Sequence, residues 1–268
     1  MRIATFNVNS IRSRIDRVEA FLKRQDVDVL AIQETKARDD QWPVMGLEAM
    51  GYEVVTHGYD QWNGVALASR VGIDDVRRGL DGLPQWGEPL ASEARALGAT
   101  CGGVQVWSLY VPNGRKPGDP HFQYKLAWLE RLRAEAHGWL TEDPQAQIAL
   151  TGDWNIAPFD EDVFDISRFQ SSTHVTPEER AAFHAILECG YVDVVRPHCP
   201  GPEVYTYWDY YRNRYSRNRG MRIDLILGSP ALAARVTHAF IDVQERAGTD
   251  GLGAGASDHA PVLVDIAP

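Results

Sequence analysis

Apolar residues along this chain occur in short runs separated by segments of helical periodicity. Residues 2–6 and 27–33 are short apolar runs bounded by polar residues, and they are predicted to be strands. Between them, one helical face is formed by Ile15, Val18, Phe21 and Leu22. We expect Ser10 to cap this helix. The chain is therefore predicted to begin with a strand, a helix and a second strand.

The stretch 52–111 has no helical periodicity and is predicted to form consecutive strands. The segments concerned are YEVVTH, GVALAS, EARALGAT and VQVWSLYV. Gly102-Gly103, between the last two, predicts a tight hairpin. A short helix is expected before this stretch, opening at Trp42-Pro43 and stopping at Gly51.

The rest of the chain alternates again between helices and strands. A long helix is predicted over roughly 121–140, followed by the strand QIALTG. The capping box that begins at Thr176 predicts a helix that ends near Cys189-Gly190. The segments RIDLILG, VTHAFIDV and HAPVLVDI are expected to be strands, with a glycine-rich loop at 248–255 before the last.

This order of elements predicts an α/β fold. Strand runs interleaved with helices fit a four-layer α/β sandwich, in which two packed mixed β-sheets are flanked by helices. A single doubly wound sheet is the alternative, but the helix-free stretch 52–111 argues against it. Because no linker or repeat interrupts the sequence, we expect one domain spanning residues 1–268.

Composition excludes some classes of protein. The formal net charge is −10, from 37 acidic and 27 basic residues, which counts against a passive nucleic-acid coating protein. A local basic surface remains compatible, because a Debye length of about 8 Å screens distant charge. The three scattered cysteines predict neither a disulfide framework nor a zinc site. With no signal-like segment and no apolar run of about 18 residues, we expect a soluble cytoplasmic protein that does not bind membranes.

Polar motifs directly follow several strand-like runs. The residues are Asn7 after RIATF, Glu34 after VDVLAIQ, Asp153 and Asn155 in LTGDWN, and Asp258 and His259 in SDHAP. We expect buried strands to present these side chains at a common edge of the fold. Oxygen ligands with an imidazole suit metal-assisted cleavage of a phosphate ester. Taken singly, GDWN is more often a turn, and an isolated acid such as Glu34 is more often an exposed strand end.

Two further residues are candidates for the same site. Asp224 lies inside the apolar run MRIDLIL, where an unpaired carboxylate would be costly to bury, so it needs a partner such as a histidine. Tyr110 ends the run VWSLY. It is predicted either to pack within the sheet or to present its hydroxyl group to a phosphate.

The stretch 205–222 supplies the basic surface that the net charge conceals. Its arginines are Arg212, Arg214, Arg217, Arg219 and Arg222, and its aromatic residues are Tyr205, Tyr207, Trp208, Tyr210, Tyr211 and Tyr215. Arginines contact phosphates, while aromatic faces stack on a base or fill the space of a missing one. A solvated arginine-rich loop is the alternative, and it accounts less well for six aromatic residues.

In order along the chain, NVNSIR, QETK, YVPNG, GDWN, GMRID and SDHAP resemble the exonuclease III family. These are bacterial apurinic/apyrimidinic (AP) endonucleases and 3′-exonucleases of the endonuclease/exonuclease/phosphatase superfamily. The resemblance implies the sandwich fold of deoxyribonuclease I. It also implies a Mg²⁺-dependent DNA-repair nuclease, with Mn²⁺ able to substitute. Such an enzyme hydrolyses the phosphodiester 5′ to abasic sites and removes nucleotides or blocking groups from 3′ ends. Its partner would be double-stranded DNA with abasic sites or 3′ ends, and the protein would be a monomer.

The resemblance also implies roles for the individual site residues. Glu34 would be the principal magnesium ligand, supported by Asn7 and Asp258. Asp153 would deprotonate the attacking water or protonate the leaving oxygen. The remaining members would steady or contact the phosphate: Asn155, Tyr110 and His259, the last oriented by Asp224. A second metal position would use Asp153, Asn155 and His259.

Residues expected to contact DNA lie on two segments. Asn113 and Arg115 fall on a DNA-contacting turn, and Tyr207 and Trp208 fall where the family places aromatic residues around the abasic sugar. The arginines expected to bind DNA are Arg212, Arg217 and Arg222.

Two other function classes are rivals. A phosphatase or phosphodiesterase of the same superfamily, acting on lipid head groups or nucleotides, would share the metal site but have little use for the arginine–aromatic stretch. A catalytically silent DNA-end-binding protein would be expected to have lost at least one ligand motif.

Overall fold

The computed structural model describes residues 1–248 and 255–268. Its strands form two six-stranded sheets. The first sheet contains, in spatial order, β11 (Val236–Ile241), β12 (Val262–Ile266), β1 (Arg2–Asn7), β2 (Val29–Gln33), β4 (Val65–Ser69) and β3 (Glu53–His57). The second contains β5 (Asp74–Arg78), β6 (Ala96–Cys101), β7 (Val104–Tyr110), β8 (Ile148–Asp153), β10 (Asp224–Gly228) and β9 (Val192–Asp193). The helices are α1 (Ile15–Gln25), α2 (Met45–Ala49), α3 (Pro120–Glu142), α4 (Pro177–Leu187), α5 (Pro230–Ala233) and α6 (Val243–Ala247).

The two sheets pack face to face over a shared apolar core. Val29 and Leu67 from the first sheet lie in one cluster with Val106 and Ile226 from the second. Alternate residues of the same strands point outwards, where Leu30 joins the cluster that includes α1. Since these strands are buried on both faces, they appear in the sequence as continuous apolar runs.

Helices cover the outer face of each sheet. Phe21 of α1 packs in the cluster on the first sheet. Trp128 of α3 and Phe183 of α4 pack in the cluster on the second sheet. The order helices, sheet, sheet, helices confirms the predicted four-layer α/β sandwich.

Each sheet contains one parallel pair of strands. β1 pairs with β2, and β7 pairs with β8. The connections run through α1 and α3, and the other strand pairs described are antiparallel. The ends of both parallel pairs place Asn7, Glu34, Tyr110 and Asp153 at one rim of the sandwich. In the described part of the chain, no helix is both long and apolar enough to cross a bilayer.

Several local predictions are confirmed. Gly102 and Gly103 have φ values of 55° and 82° and join β6 to β7 in a two-residue hairpin. The capping box is present at α4, where the Thr176 side chain accepts a hydrogen bond from the Glu179 backbone N–H. The predicted glycine-rich loop lies partly outside the described residues, which omit Gly251 and Gly253.

The structure corrects two expectations about elements. Ser10 does not cap α1, which begins at Ile15 after Arg14. Instead the Ser10 backbone N–H donates to the Glu34 carbonyl at 2.7 Å, so this segment pairs with the chain leaving β2. Strand β5 was not predicted, because its sequence DDVRR is exposed throughout and lacks an apolar alternation.

Candidate active site

Asn7 connects the two sheets at the rim. Its side-chain Nδ2 donates to Glu34 Oε1 and to Asp153 Oδ2, both at 2.9 Å, and the residue is fully buried. Glu34 has φ 51°, which turns the chain sharply after β2. Gly152 allows β8 to approach β7, since a Cβ atom there would lie 1.9 Å from the Leu109 carbonyl oxygen. The rim therefore brings both carboxylates to one buried amide.

Glu34, Asp153 and His259 present atoms that could hold a metal ion. One ligand atom from each lies within 4.8 Å of the others. Asp258 lines the same cavity, and its Oδ1 accepts a hydrogen bond from Asn9 Nδ2 at 3.1 Å. Carboxylate oxygens are the ligands that Mg²⁺ prefers. Because these carboxylates lie close together, a bound cation would relieve their mutual repulsion. The residues present therefore fit a divalent metal.

The acids of the cavity differ in their electrostatic environment. Burial raises the pKa of Asp153 to about 7, with the carboxylates of Asp224 and Glu34 adding to the effect and His259 opposing it. Burial also acts to raise the pKa of Glu34, but the Lys36 ammonium and the Asn7 amide outweigh it and lower this pKa. Lys36 Nζ lies 2.9 Å from Glu34 Oε2. Glu34 is thus held as a carboxylate, while Asp153 titrates near neutrality.

His259 is oriented by Asp224. Its Nδ1 lies 2.8 Å from Asp224 Oδ2, and Asp224 is itself held by a hydrogen bond from its backbone N–H to Thr206 Oγ1 at 3.0 Å. Burial lowers the pKa of His259, but the Asp224 carboxylate outweighs this and raises it to about 10. The ring is therefore a cation, and its Nε2 is directed to the cavity, 3.9 Å from Asp153 Oδ2.

Asn155 closes the cavity on the side of the second sheet. Its backbone N–H donates to Asp153 Oδ1 at 2.9 Å, and its Nδ2 donates to the Val111 carbonyl at 2.9 Å. Its Oδ1 accepts from Asn113 Nδ2 at 3.2 Å and lies 3.1 Å from His174 Nε2. The exposed turn at Asn113 is thus joined to the segment that follows β8 by side-chain amides.

Two tyrosines complete the cavity, whose volume is about 150 Å³. The Tyr110 ring lies 4.7 Å from the Arg95 guanidinium carbon, and burial, with Glu34 adding, holds the pKa of its phenol well above the usual value. Tyr110 is therefore a neutral hydrogen-bond donor. The Tyr207 ring lies 4.8 Å from the His259 ring. The lining residues are Glu34, Tyr110, Asn113, Asp153, Asn155, His174, Tyr207, Met221, Ile223, Asp258 and His259.

Lys36 and His174 are polar residues of the cavity region that were not predicted from the sequence. Lys36 belongs to the QETK motif, but only the tertiary structure reveals its contact with Glu34. His174 lies in QSSTHVT, which follows no strand, so the rule that identified the other site residues could not find it. Loop residues also line the cavity, and reasoning from strand ends does not locate them.

The DNA-contact predictions divide into exposed and buried residues. Arg222 is 1% exposed, and its guanidinium pairs with Asp162 and Asp193 at 2.6 Å each. The expectation that it contacts DNA is corrected, because these acids occupy its donors. Trp208 is 3% exposed and donates to Asn218 Oδ1, so it has a packing role and does not line the cavity.

Four other predicted DNA contacts remain accessible. The exposed residues are Asn113, Arg115, Arg212 and Arg217. They lie on the turn after β7 and on the stretch 205–222, both of which also contribute to the cavity lining.

Comparison with known proteins shows the family to which this fold belongs. The family model described as "Endonuclease/Exonuclease/phosphatase family" matches residues 4–259. The chain is 30% identical to exodeoxyribonuclease III of Haemophilus influenzae, over 99% of this chain and 100% of that protein. It resembles the structure of an AP endonuclease from Archaeoglobus fulgidus, with a TM-score of 0.89, 37% identity and 99% of each chain covered. It also resembles a 3′-5′ exonuclease from Neisseria meningitidis, with a TM-score of 0.91, 35% identity and 100% of each chain covered. The chain therefore belongs to the endonuclease/exonuclease/phosphatase family, among the nucleases of the exodeoxyribonuclease III type.

Proposed function

We propose that this protein is a Mg²⁺-dependent DNA-repair nuclease. It hydrolyses the phosphodiester 5′ to an abasic site, leaving a 3′-hydroxyl, and removes nucleotides or blocking groups from 3′ ends of duplex DNA. The observation that carries the proposal is the buried cavity in which Glu34, Asp153 and His259 converge. The names of its relatives, an exodeoxyribonuclease III and an AP endonuclease among them, support the same activity.

In this proposal the cation is held by Glu34 with Asn7 and Asp258, and Mn²⁺ can replace Mg²⁺. When bound, it supplies positive charge beside the phosphate oxygens, where negative charge grows as the bond to phosphorus breaks. The oxygen-rich donor set at the rim supports this assignment. A second metal position at Asp153, Asn155 and His259 is the alternative, for which His259 would have to be neutral, because an imidazolium has no free lone pair to bind a cation.

The chain's own residues position the scissile phosphate and move a proton. The imidazolium of His259 faces the cavity and offers a charge-assisted hydrogen bond to a phosphate oxygen. The neutral phenol of Tyr110 can donate a hydrogen bond to the same phosphate. Asn155 forms another part of the cavity lining. Asp153, between His259 and Asn7, is placed to exchange a proton with the attacking water or with the leaving oxygen.

The DNA duplex would lie across the rim. Arg115, Arg212 and Arg217 are exposed on the two segments that also contribute residues to the cavity lining, and they suit contacts to backbone phosphates. Tyr207 lines the cavity and suits the space around an abasic sugar. We further propose that the chain acts as a monomer of one domain in the cytoplasm.

The substitution Asp153→Asn tests the proposed function. It preserves the shape of the side chain but removes the proton acceptor, so the incision rate of an abasic duplex should fall by about 100-fold or more. The rate is measured on gels with Mg²⁺, beside a duplex blocked at its 3′ end. Asp143→Asn, an exposed residue after α3, is the control and should retain the full rate. Near-normal incision by Asp153→Asn would contradict the mechanism. Phosphate hydrolysis by the wild type that does not depend on DNA would indicate a phosphatase instead.

A further inference from the structure

Of the three residues proposed to hold the cation, Asp258 is the one that no strand end supplies. It lies in the loop before β12, whereas Asn7 ends β1 and Glu34 follows β2 directly. Its Oδ1 accepts a hydrogen bond from Asn9 Nδ2 at 3.1 Å, and its carbonyl accepts one from the Trp208 N–H at 2.9 Å. The position of this carboxylate therefore depends on how the loops around it are held together.

The Arg14 side chain connects three of these loops. Its guanidinium donates to the Asn9 carbonyl, to the Gly255 carbonyl at 3.1 Å and to the Tyr210 hydroxyl at 3.1 Å. Each of its three nitrogens is used in one of these bonds, and in the part of the chain that the structure describes no carboxylate pairs with it. One guanidinium thus holds both Asn9, which contacts the Asp258 carboxylate, and the backbone that leads into Asp258.

Tyr210 extends this connection to Ala256. Its hydroxyl accepts from Arg14 and donates to the Ala256 carbonyl at 2.6 Å. Its ring lies against the guanidinium of Arg246, whose carbon is 5.3 Å from the ring centre. Tyr210 is 52% exposed, so these contacts, and not burial, fix its position.

The backbone held in this way comes directly before the proposed metal ligand. Gly255 is exposed and Ala256 is only partly buried, so neither buries enough apolar surface to order the segment. The next residue, Ser257, is already attached to the rim, since its hydroxyl donates to the Asn7 carbonyl at 2.7 Å. The hydrogen bonds from Arg14 and Tyr210 therefore extend the ordered backbone by two residues.

We propose that Arg14, acting with Tyr210, is a positioning residue for the metal ligand Asp258. This inference rests on the proposed function, because it requires the cation held by Glu34, Asn7 and Asp258. In this role Arg14 contacts neither the cation nor the reacting phosphate. It keeps Asp258 where the cation binds, so that less conformational freedom is lost on binding. Because all three guanidinium nitrogens already donate within the protein, the observations favour this role over a contact with a DNA phosphate.

Metal binding in the absence of DNA tests the proposal. Electron paramagnetic resonance measures free Mn²⁺ in titrations of the wild type, Arg14→Met, Tyr210→Phe and the double variant. Arg14→Met should raise the Mn²⁺ dissociation constant by about tenfold, as for the loss of an outer partner of a metal ligand. Tyr210→Phe should raise it by about threefold, as for the loss of one neutral hydrogen bond. The double variant should fall short of the roughly thirtyfold effect of independent changes, because both side chains act through one connection.

Tyr191→Phe is a matched control. The Tyr191 hydroxyl donates to the Ala136 carbonyl at 3.2 Å, and neither residue lines the catalytic cavity. The control therefore loses the same kind of hydrogen bond and should keep the wild-type Mn²⁺ affinity. In incision assays, Arg14→Met should need more Mg²⁺ for the half-maximal rate but should regain nearly the wild-type rate at saturation. A general loss of folded protein would lower the rate at every concentration.

Unchanged Mn²⁺ affinity in Arg14→Met would overturn the proposal. Weaker binding of an abasic duplex in EDTA, with normal Mn²⁺ binding, would also overturn it, because Arg14 would then be a DNA contact. If Arg14→Met does not fold, as judged by circular dichroism, Tyr210→Phe decides the test, since it keeps the ring and removes only the hydroxyl. Failure of the wild type to bind Mn²⁺ would instead refute the metal site of the proposed function, which Glu34→Gln tests separately.

Discussion

At the residue scale, the site depends on polar side chains placed where the backbone makes unusual turns. Glu34 and Asn155 have φ values of 51° and 50°, in the left-handed region that side chains seldom adopt. Each follows a buried strand and directs its side chain back over the rim. Such backbone conformations persist only where the surrounding contacts require them, as they do around Asn7 and Asp153.

Glu34→Gln should weaken metal binding while leaving the fold intact. The amide keeps the hydrogen-bonding shape but removes the carboxylate charge paired with Lys36. The Mg²⁺ concentration for half-maximal incision should rise by at least about tenfold, since even the loss of an outer partner of a metal ligand costs this much. The measurement is a Mg²⁺ titration of the initial rate. Glu53→Gln on the exposed edge of β3 is the control, and an unchanged Mg²⁺ requirement in Glu34→Gln would remove Glu34 from the metal site.

At the element scale, a buried ion pair supports the loops around the cavity. Lys125 of α3 pairs with Glu179 of α4, and both side chains are 0% exposed. Lys125 Nζ also donates to the Asn155 carbonyl at 2.7 Å. Glu179 Oε1 accepts from Thr173 Oγ1 at 2.5 Å and from the His174 backbone N–H at 2.9 Å. The pair therefore fixes two cavity-lining segments to the helices.

Glu179→Gln should destabilise the protein because it leaves the Lys125 ammonium buried without a counter-charge. The free energy of unfolding should fall by about 3 kcal/mol. The incision rate should fall as well, since Asn155 and His174 lose their common support. Urea denaturation and initial rates measure the two effects. Glu178→Gln is a matched control, because Glu178 is the residue next to Glu179 and its side chain is exposed. Equal stability of the two variants would contradict this role for the Lys125–Glu179 pair.

At the scale of the whole molecule, the site lies at the seam between the two sheets. Asn7 and Glu34 come from the first sheet, and Asp153 comes from the end of β8 in the second. A cation held by Glu34 with Asn7 and Asp258 would lie beside Asp153 of the second sheet, since ligand atoms of Glu34 and Asp153 are within 4.8 Å of each other. Metal binding should therefore stabilise the fold as well as enable catalysis.

Addition of Mg²⁺ should raise the melting temperature, and EDTA should reverse the rise. At a concentration of 100 times the dissociation constant, the gain is about 2.7 kcal/mol. For a chain of this size that corresponds to roughly 5 to 10 °C. Scanning calorimetry of the wild type and Glu34→Gln measures the effect. A shift of the same size in the variant would show that the stabilising cation binds elsewhere.

The arrangement of elements could be predicted well from the sequence, and the exceptions have physical causes. Strands buried on both faces leave continuous apolar runs, whereas the exposed edge strand β5 leaves none. Ser10 has the chemistry of a helix cap, but its backbone N–H instead donates to the Glu34 carbonyl at the end of β2. Ser10 has a φ of 93°, whereas an N-cap residue is extended, so its tertiary pairing overrides the local preference.

Candidate site residues could be predicted where they follow a buried strand, as Asp153 does. Asp258 and His259 were predicted from their motif although they lie in the loop before β12, whereas a loop residue outside such a motif was not. His174 enters the cavity only because Glu179 holds its backbone. Arg222 and Arg214 both belong to the stretch 205–222, but Arg222 is buried between two aspartates, whereas the Arg214 guanidinium packs over the Phe164 ring.

The sequence by itself determined the fold class, the family and the chemical nature of the site, because apolar periodicity and strand-end carboxylates are local properties of the chain. Only the tertiary structure decided which charges are neutralised and which remain available to a ligand. That division depends on the distances between groups far apart in sequence, and no local pattern encodes them.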